Sequence, residues 1–308
     1  MALLFYKDPE HSDDIVPEIR RRRPDLEVRI YPDLDAPERF DYLLGYDPPR
    51  ELLEKLPNLK VIFSAGAGAD ALLATAGLPQ VPLLRMVDDS LAELVSEFAA
   101  AQVLAWHRDL WSYRDQQTKA QWQPLPLRRA RERRVGVLGL GAIGQRLTRT
   151  LRTLGFDVVG WSRTAKTIEG LPSFAGPAQL FQVLQQAEIL VSILPLTTAT
   201  HGILNVKTLR ELPRGAVVVN VGRGAHLVES DLLALLEEGH LSGASLDVFD
   251  EEPLPEAHPF WRHPKVIVTP HVAGAISATA MAEVVTTQIA RFEQGLDLHN
   301  VVDRAEGY

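Results

Sequence analysis

Three side chains with complementary chemistry lie at or just after predicted strand ends in the second half of this 308-residue chain: Arg223, Glu252 and His271. A guanidinium can hold a carboxylate through two hydrogen bonds and polarise the carbonyl beside it, and an imidazolium can donate a proton. A carboxylate next to the imidazolium orients it and raises its pKa. Each residue alone is ambiguous, because strand-end arginines, glutamates in acidic runs and lone histidines are usually surface or structural residues. Beside a nicotinamide cofactor, however, the three supply what the reduction of a carbonyl group needs.

A glycine-rich segment predicts the site of that cofactor. An apolar run over 133–138 leads into G-L-G-A-I-G, a helical pattern follows over 145–154, and a second apolar run covers 156–161. Although glycine triplets also occur in ordinary turns, this strand–helix–strand context is typical of a nucleotide site, where a helix N-terminus offers N–H groups to a pyrophosphate. The predicted cofactor-binding residues of this segment are Gly139, Gly141, Ala142, Ile143 and Gly144.

The residues after the second strand of this unit predict which dinucleotide binds. An acidic residue at that point normally accepts hydrogen bonds from the ribose 2′-hydroxyl of NAD. Here the strand ends in Ser162, Arg163 and Thr164, without a carboxylate to repel a 2′-phosphate. Arg163 can form a charge-assisted fork with a phosphate, and the two hydroxyls can donate further hydrogen bonds. We therefore predict NADP(H) in preference to NAD(H); in the alternative interpretation, Arg163 is a solvated loop residue.

Strand and helix patterns alternate along the chain, which predicts an α/β fold with parallel sheets. In the first part, strand-like runs cover 3–6, 27–31, 42–46, 60–64 and 82–86. A long helical pattern over 90–119 leads to the second part, whose further strands are expected at 188–193, 216–220, 244–248 and 266–269. We expect two Rossmann- or flavodoxin-like domains with a cleft between them, and ligands beyond the carboxyl ends of the strands.

Composition excludes several classes of function. The formal net charge of −8 opposes binding to nucleic acid or to an anionic membrane surface. No apolar run approaches the roughly 20 residues that span a bilayer, so we expect a cytoplasmic protein without membrane association. Because the chain has no cysteine, disulfides, thiolate nucleophiles and Cys-ligated zinc are excluded, and no metal site is predicted.

Over nearly its full length the chain resembles the D-isomer-specific 2-hydroxyacid dehydrogenases, and most of all their glyoxylate/hydroxypyruvate reductase A branch. The resemblance rests on GLGAIG at 139–144, NVGRGAHLVESDLLALLEEGHLSGASLDVFDEEPLP at 220–255 and HPKVIVTPHVAG at 263–274. It implies NADPH-dependent reduction of small 2-oxo acids, glyoxylate and hydroxypyruvate above all. Family members that use NAD mostly carry an aspartate where Ser162 stands, so the commoner family cofactor is not expected here.

The resemblance also implies a role for each site residue. Arg223 would bind the substrate carboxylate, Glu252 would orient His271, and His271 would be the acid/base that protonates the carbonyl oxygen. Asp247 would contact the nicotinamide carboxamide. Backbone N–H groups of a glycine-rich loop would hold the substrate carboxylate from another side, since successive amides in such a turn form an anion-binding concavity. The implied substrate-binding residues are Ala67, Gly68, Arg223 and His271.

Family likeness further predicts a substrate or lid domain of residues 1–101 plus 279–308, a dinucleotide-binding Rossmann domain of residues 102–278, and a homodimer. Two other functions stay open at this point. A reductase of larger 2-oxo acids can use the same scaffold, and a dinucleotide-sensing corepressor or interaction protein can reuse the fold, because a fold does not determine a function.

Overall fold

The structure, a computed structural model, describes residues 1–6 and 14–307. Residues 7–13 and 308, which belong to the predicted substrate domain, lie outside the described residues. Helices alternate with strands, and the named strands pair in parallel within two sheets. The predicted α/β class with two Rossmann- or flavodoxin-like sheets is therefore confirmed.

The elements are numbered in chain order. The strands are β1 (Ala2–Tyr6), β2 (Glu27–Ile30), β3 (Phe40–Gly45), β4 (Val61–Ser64), β5 (Leu83–Leu84), β6 (Arg134–Leu138), β7 (Asp157–Ser162), β8 (Ser173–Ala175), β9 (Ile189–Ser192), β10 (Ala216–Asn220), β11 (Leu241–Leu246) and β12 (Val266–Val268). The α-helices are α1 (Ile15–Arg22), α2 (Arg50–Leu53), α3 (Asp70–Ala74), α4 (Asp89–His107), α5 (Leu110–Thr118), α6 (Ala142–Thr153), α7 (Pro177–Leu184), α8 (Val206–Leu209), α9 (Glu229–Glu237) and α10 (Ala278–Glu293).

The first of two compact units comprises Met1–Asp89 and Ile276–Tyr308. Its sheet has the order β2-β1-β3-β4-β5, which is the flavodoxin-like order. Strand β1, which lies between β2 and β3, is buried from Ala2 to Phe5, as expected for a parallel strand covered on both faces. Ile19 of α1 and Val285 of α10 lie in one buried cluster with Phe5, so the last helix of the chain completes the core of the first unit.

The second unit, Ser90–Ala275, has a sheet of order β12-β11-β10-β9-β6-β7-β8. From β6 the chain runs outward through β7 to β8 and then returns to β9 on the other side of β6. This reversal creates the switch point at which open parallel sheets bind ligands. The glycine turn follows β6, Arg223 follows β10, Asp247 follows β11 and His271 follows β12. The sheet therefore carries all four of these features at the carboxyl ends of its strands.

The clearest differences from the sequence prediction are in one helix and two strands. The strand predicted over 82–86 is reduced to Leu83–Leu84 in β5. The helix predicted over 90–119 is divided into α4 and α5, and Asp109 between them has a φ of 54°, in the left-handed region that continuous helix excludes. Strand β8 was not predicted; its three residues are all partly exposed and show no alternation of buried and exposed positions.

The two units divide the chain at Asp89 and at Ile276, whereas the predicted domains divide it after residues 101 and 278. The difference is largest in helix α4, which is almost wholly in the second unit. The predicted domain boundaries stay a prediction. Within the described ranges, no helix combines the length and the apolar character needed to cross a membrane.

Candidate active site

The glycine turn lies between β6 and α6, at the switch point of the second unit's sheet. Gly139 has a φ of +105°, and a Cβ there would lie 2.7 Å from the carbonyl oxygen of Ile193. A Cβ on Gly144 would overlap the carbonyl oxygen of Gly139, at the point where α6 packs onto the turn. The packing of the chain itself therefore requires glycine at both positions.

Gly141 differs from the other two glycines. It is the N-cap of α6, and a Cβ there would meet no atom of the described residues within 4 Å apart from its two chain neighbours. The N–H groups of the first helical turn, which begins with Ala142 and Ile143, have no acceptor within the helix, and this turn has no acidic residue. A backbone without a side chain, next to the positive end of a helix, fits the close approach of a dinucleotide pyrophosphate.

The predicted 2′-phosphate residues lie at the end of β7, with Ser162 as its last residue, and β7 pairs with β6 next to the glycine turn. Ser162 is 7% exposed, and its hydroxyl donates a hydrogen bond of 2.8 Å to the carbonyl oxygen of Thr164. Its proton is thus used inside the turn. The side chains of Arg163 and Thr164 are exposed, so they are the groups of this strand end that can reach a phosphate.

Arg223 lies in extended backbone directly after β10, with φ −141° and ψ 149°. Its side chain is half-buried, and one guanidinium nitrogen donates a hydrogen bond of 2.8 Å to the carbonyl oxygen of Gly222. A Cβ on Gly224 would overlap the backbone of Phe249. The turn that carries Arg223 therefore packs against the segment that leads to Glu252.

The side chains of Glu252 and His271 are hydrogen-bonded to each other. One carboxylate oxygen of Glu252 lies 2.7 Å from Nδ1 of His271, and the other accepts a hydrogen bond of 2.8 Å from the backbone N–H of Phe249. The hydrogen bond with Glu252 raises the pKa of His271 above its ordinary value, although partial burial and the charge of Arg223 oppose this. Burial raises the pKa of Glu252, but the bonds from His271 and Phe249 outweigh it and hold the pKa below its ordinary value. The pair favours the protonated imidazolium, held by Glu252 at Nδ1.

Asp247 holds the turn that presents His271. Its carboxylate is 1% exposed and accepts hydrogen bonds from the Thr269 hydroxyl and from the N–H groups of Val272 and Ala273, at 2.6, 3.0 and 2.8 Å. Its carbonyl oxygen accepts a further bond of 2.8 Å from the N–H of His271. His271 has a φ of 53°, which is costly for a residue with a side chain, and these bonds stabilise that conformation. A contact between Asp247 and a nicotinamide carboxamide stays a prediction.

The glycine-rich loop with Ala67 and Gly68 belongs to the first unit and follows β4. The hydroxyl of Ser64 donates a hydrogen bond of 2.6 Å to the carbonyl oxygen of Gly68, and the N–H of Met86 donates one of 3.2 Å to Gly66. These bonds use carbonyl groups of the loop and so fix its backbone. The binding of a substrate carboxylate by the N–H groups of Ala67 and Gly68 stays a prediction.

Two buried residues beside Arg223 were not predicted from the sequence. The side-chain amide of Asn220 donates a hydrogen bond of 3.0 Å to the carbonyl oxygen of Arg223, and Nδ1 of His226 accepts one of 3.1 Å from the Arg223 N–H. Both side chains are 0% exposed. The available signal was a polar residue at the end of an apolar strand, for Asn220, and a histidine in a glycine-rich turn, for His226. Their partners are backbone groups that only the fold brings within reach.

A family model described as "D-isomer specific 2-hydroxyacid dehydrogenase, NAD binding domain" matches residues 100–273 of the chain. This range includes the glycine turn and the three residues Arg223, Glu252 and His271. The match thus covers more than half of the chain, and it bears on the second unit in particular.

Solved structures of similar proteins cover the whole chain. A D-isomer specific 2-hydroxyacid dehydrogenase from Xanthobacter autotrophicus Py2, in complex with NADPH and MES, is 39% identical, with a TM-score of 0.95 over 100% of this chain and 99% of that one. The NADPH-dependent glyoxylate/hydroxypyruvate reductase from Sinorhizobium meliloti, in complex with NADP and sulfate, is 38% identical, with a TM-score of 0.94 over 100% of both chains. A probable 2-hydroxyacid dehydrogenase from Rhizobium etli CFN 42, in complex with NADP, HEPES and L(+)-tartaric acid, is 37% identical, with a TM-score of 0.92 over 100% of this chain and 99% of that one.

These comparisons confirm the resemblance predicted from the motifs, including its reductase A branch, and the cofactors in the three structures agree with the prediction from the strand end at Ser162. A family model over more than half of the chain and full-length relatives above 30% identity lead to one conclusion. The chain is an enzyme that belongs to the D-isomer specific 2-hydroxyacid dehydrogenase family.

Proposed function

We propose that the protein catalyses the NADPH-dependent reduction of small 2-oxo acids to 2-hydroxy acids, with glyoxylate and hydroxypyruvate as the favoured substrates. One observation carries the proposal: Glu252 is hydrogen-bonded to His271 at 2.7 Å, and this bond raises the pKa of the imidazole. The same imidazole is close enough to Arg223 for the charge of the guanidinium to act on its pKa. The pair and the arginine follow strands of the sheet that also carries the glycine turn. A proton donor and a carboxylate-binding cation thus accompany a dinucleotide site.

We infer that the cofactor is NADP(H) in preference to NAD(H). The glycine turn fits a pyrophosphate at Gly141, and the exposed side chain of Arg163 follows the neighbouring strand, whose end has the sequence Ser-Arg-Thr without an acidic residue. An arginine can form two charge-assisted hydrogen bonds with a 2′-phosphate, whereas the 2′-hydroxyl of NAD offers no charge to it. The relatives crystallised with NADPH or NADP support this inference.

In the proposed mechanism, Arg223 binds the substrate carboxylate and polarises the neighbouring carbonyl. Bound NADPH supplies the hydride equivalent to the carbonyl carbon. His271 donates the proton from Nε2 to the carbonyl oxygen, because its Nδ1 is bonded to Glu252 at 2.7 Å. The carboxylate of Glu252 keeps the ring oriented and protonated before the reaction and stabilises its charge. Asp247 holds the backbone from which His271 projects.

An NADPH-oxidation assay over a panel of 2-oxo acids tests the proposal. We expect the largest kcat/KM with glyoxylate and hydroxypyruvate, lower values with pyruvate, and the lowest with phenylpyruvate and longer acids. A maximum at phenylpyruvate or a longer acid would instead assign the protein to the larger 2-oxo acids. Absence of turnover with every acid, with tight NADPH binding retained, would favour a dinucleotide sensor. A homodimer and a cytoplasmic location also remain predictions, and sedimentation of the purified protein tests the first.

A further inference from the structure

The imidazole of His226 is buried next to Arg223, and the proposed mechanism does not use it. It lies in the turn Gly224–His226 and is 0% exposed. Its Nδ1 accepts a hydrogen bond of 3.1 Å from the Arg223 N–H, and its Nε2 lies 3.2 Å from the carbonyl oxygen of Pro195. Because a nitrogen that accepts from an N–H carries no proton, Nε2 must carry it and donate it to Pro195. The bonds therefore define a neutral ring of one tautomer.

These two bonds join different parts of the site. Pro195 follows β9, two residues after Ile193, whose carbonyl oxygen faces Gly139 of the glycine turn. The Pro195 carbonyl oxygen also accepts a hydrogen bond of 2.7 Å from the hydroxyl of Thr200, so it is a fixed point of this loop. Through His226, the backbone of Arg223 is tied to the strand-end segment that borders the predicted cofactor turn.

The main chain of Arg223 is held from both sides. Its N–H donates to His226, and its carbonyl oxygen accepts from the side chain of Asn220 at 3.0 Å and from the N–H of His226 at 3.2 Å. The ring also lies against Gly222, where a Cβ would come 3.0 Å from Nδ1. A long arginine side chain binds a carboxylate through two points only if its Cα and Cβ are fixed, because small misplacements at the base displace the guanidinium.

We propose that His226 is a positioning residue for Arg223: its neutral ring, bonded at both nitrogens, fixes the arginine backbone relative to the segment after β9 so that the guanidinium meets the substrate carboxylate. This inference rests on the proposed function, since it assigns a role to Arg223 in binding the 2-oxo acid. His226 touches neither substrate nor cofactor in this role. In these proposals His226 acts as a neutral ring, whereas His271 acts as a protonated imidazolium.

Three substitutions of His226 separate its two bonds. The side-chain oxygen in His226→Asn can replace Nδ1 as the acceptor for the Arg223 N–H, whereas the amide nitrogen in His226→Gln can replace Nε2 as the donor to Pro195. His226→Leu keeps much of the volume and loses both bonds. His240→Leu is the matched control, because the ring of His240 also lies 3.2 Å from a backbone carbonyl oxygen, that of Leu209, in the same unit.

With wild-type enzyme active on glyoxylate, we expect His226→Gln and His226→Leu to lower kcat/KM about tenfold or more, mainly through KM, with the Kd for NADPH within about twofold. His226→Asn should recover most of that loss, and the His240 variant should behave as wild type. In an Arg223→Ala background, His226→Leu should cost less than about twofold, since effects transmitted through one residue are not additive.

Several results would overturn the inference. The inference fails if His226→Asn is as impaired as His226→Leu, or if the effects of His226→Leu and Arg223→Ala on kcat/KM are fully additive. It also fails if the kinetics are unchanged in all three variants. Loss of folding in all three would assign the ring to the core alone. Inactive wild-type enzyme would instead refute the proposed function itself, so the two failures are distinguishable.

Discussion

The three glycines of the turn after β6 should respond differently to the same substitution, because the chain's own packing requires only two of them. In Gly141→Ala, the added methyl meets no atom within 4 Å in the part of the chain that the structure describes, its two chain neighbours aside. Alanine is a poorer N-cap than glycine, so folding stability should fall by at most about 1 kcal/mol. NADPH binding should suffer much more, because the methyl stands where a pyrophosphate approaches the helix N-terminus.

The size of that effect follows from the hydrogen bonds at stake. Loss of two charge-assisted bonds between N–H groups and phosphate oxygens, at about 1.5 kcal/mol each, gives about 3 kcal/mol. That corresponds to a rise of about 100-fold in the Kd for NADPH. Fluorescence titration with NADPH measures the affinity, and thermal unfolding without cofactor measures the stability.

Two further variants serve as contrasts. Gly144→Ala places a methyl onto the carbonyl oxygen of Gly139, and Gly139→Ala combines a φ of +105° with a contact of 2.7 Å to Ile193, so both should lose several kcal/mol of stability. Wild-type affinity for NADPH in Gly141→Ala would refute a pyrophosphate contact at this glycine, and unfolding as ready as in the other two variants would refute the difference in packing.

The remaining predictions concern the strand end and the residues around the proposed proton donor. Arg163→Ala should raise the KM for NADPH about tenfold or more, through loss of a charge-assisted contact, and leave the KM for NADH nearly unchanged; an unchanged ratio of the two would contradict the 2′-phosphate assignment. Arg223→Ala should raise KM for the 2-oxo acid and lower kcat, because the guanidinium acts on the bound substrate and on the transition state; steady-state kinetics would reject this role if only stability changed. Glu252→Gln removes the carboxylate that raises the pKa of His271, and reduction needs the protonated ring, so kcat/KM should begin to fall at a lower pH than in wild type. A pH profile that does not move would separate Glu252 from the state of His271.

Much of the fold could be predicted from local patterns. The central strands are short buried runs such as that of β10, and the glycine segment shows where a strand turns into a helix. Strand β8 escaped prediction because it is a three-residue edge strand whose pairing to β7 depends on the sheet already being formed. The break at Asp109 escaped because helical sequence patterns continue on both sides of it, and an aspartate by itself does not predict a left-handed residue.

Some residues of the candidate site could likewise be predicted from the sequence, and others could not. Residues with distinctive chemistry at strand ends, such as Glu252 and His271, could be found in the sequence, and the structure places this pair in contact. The residues that hold these side chains in position could not be found from the sequence. Asp247 and His226 act through backbone N–H and carbonyl groups, which every residue has, so their partners have no sequence signature. Such roles depend on how the fold brings distant segments together.

The proposed reaction depends above all on His271, which would protonate the carbonyl oxygen of a 2-oxo acid. The most direct measurement compares wild type with His271→Ala in two assays on the same preparation, NADPH affinity by fluorescence titration and turnover of glyoxylate. A general acid contributes roughly 10²–10⁴ in rate, so kcat should fall by about that factor while the Kd for NADPH stays within about twofold. A variant that binds NADPH normally and turns over at the wild-type rate would contradict the claim.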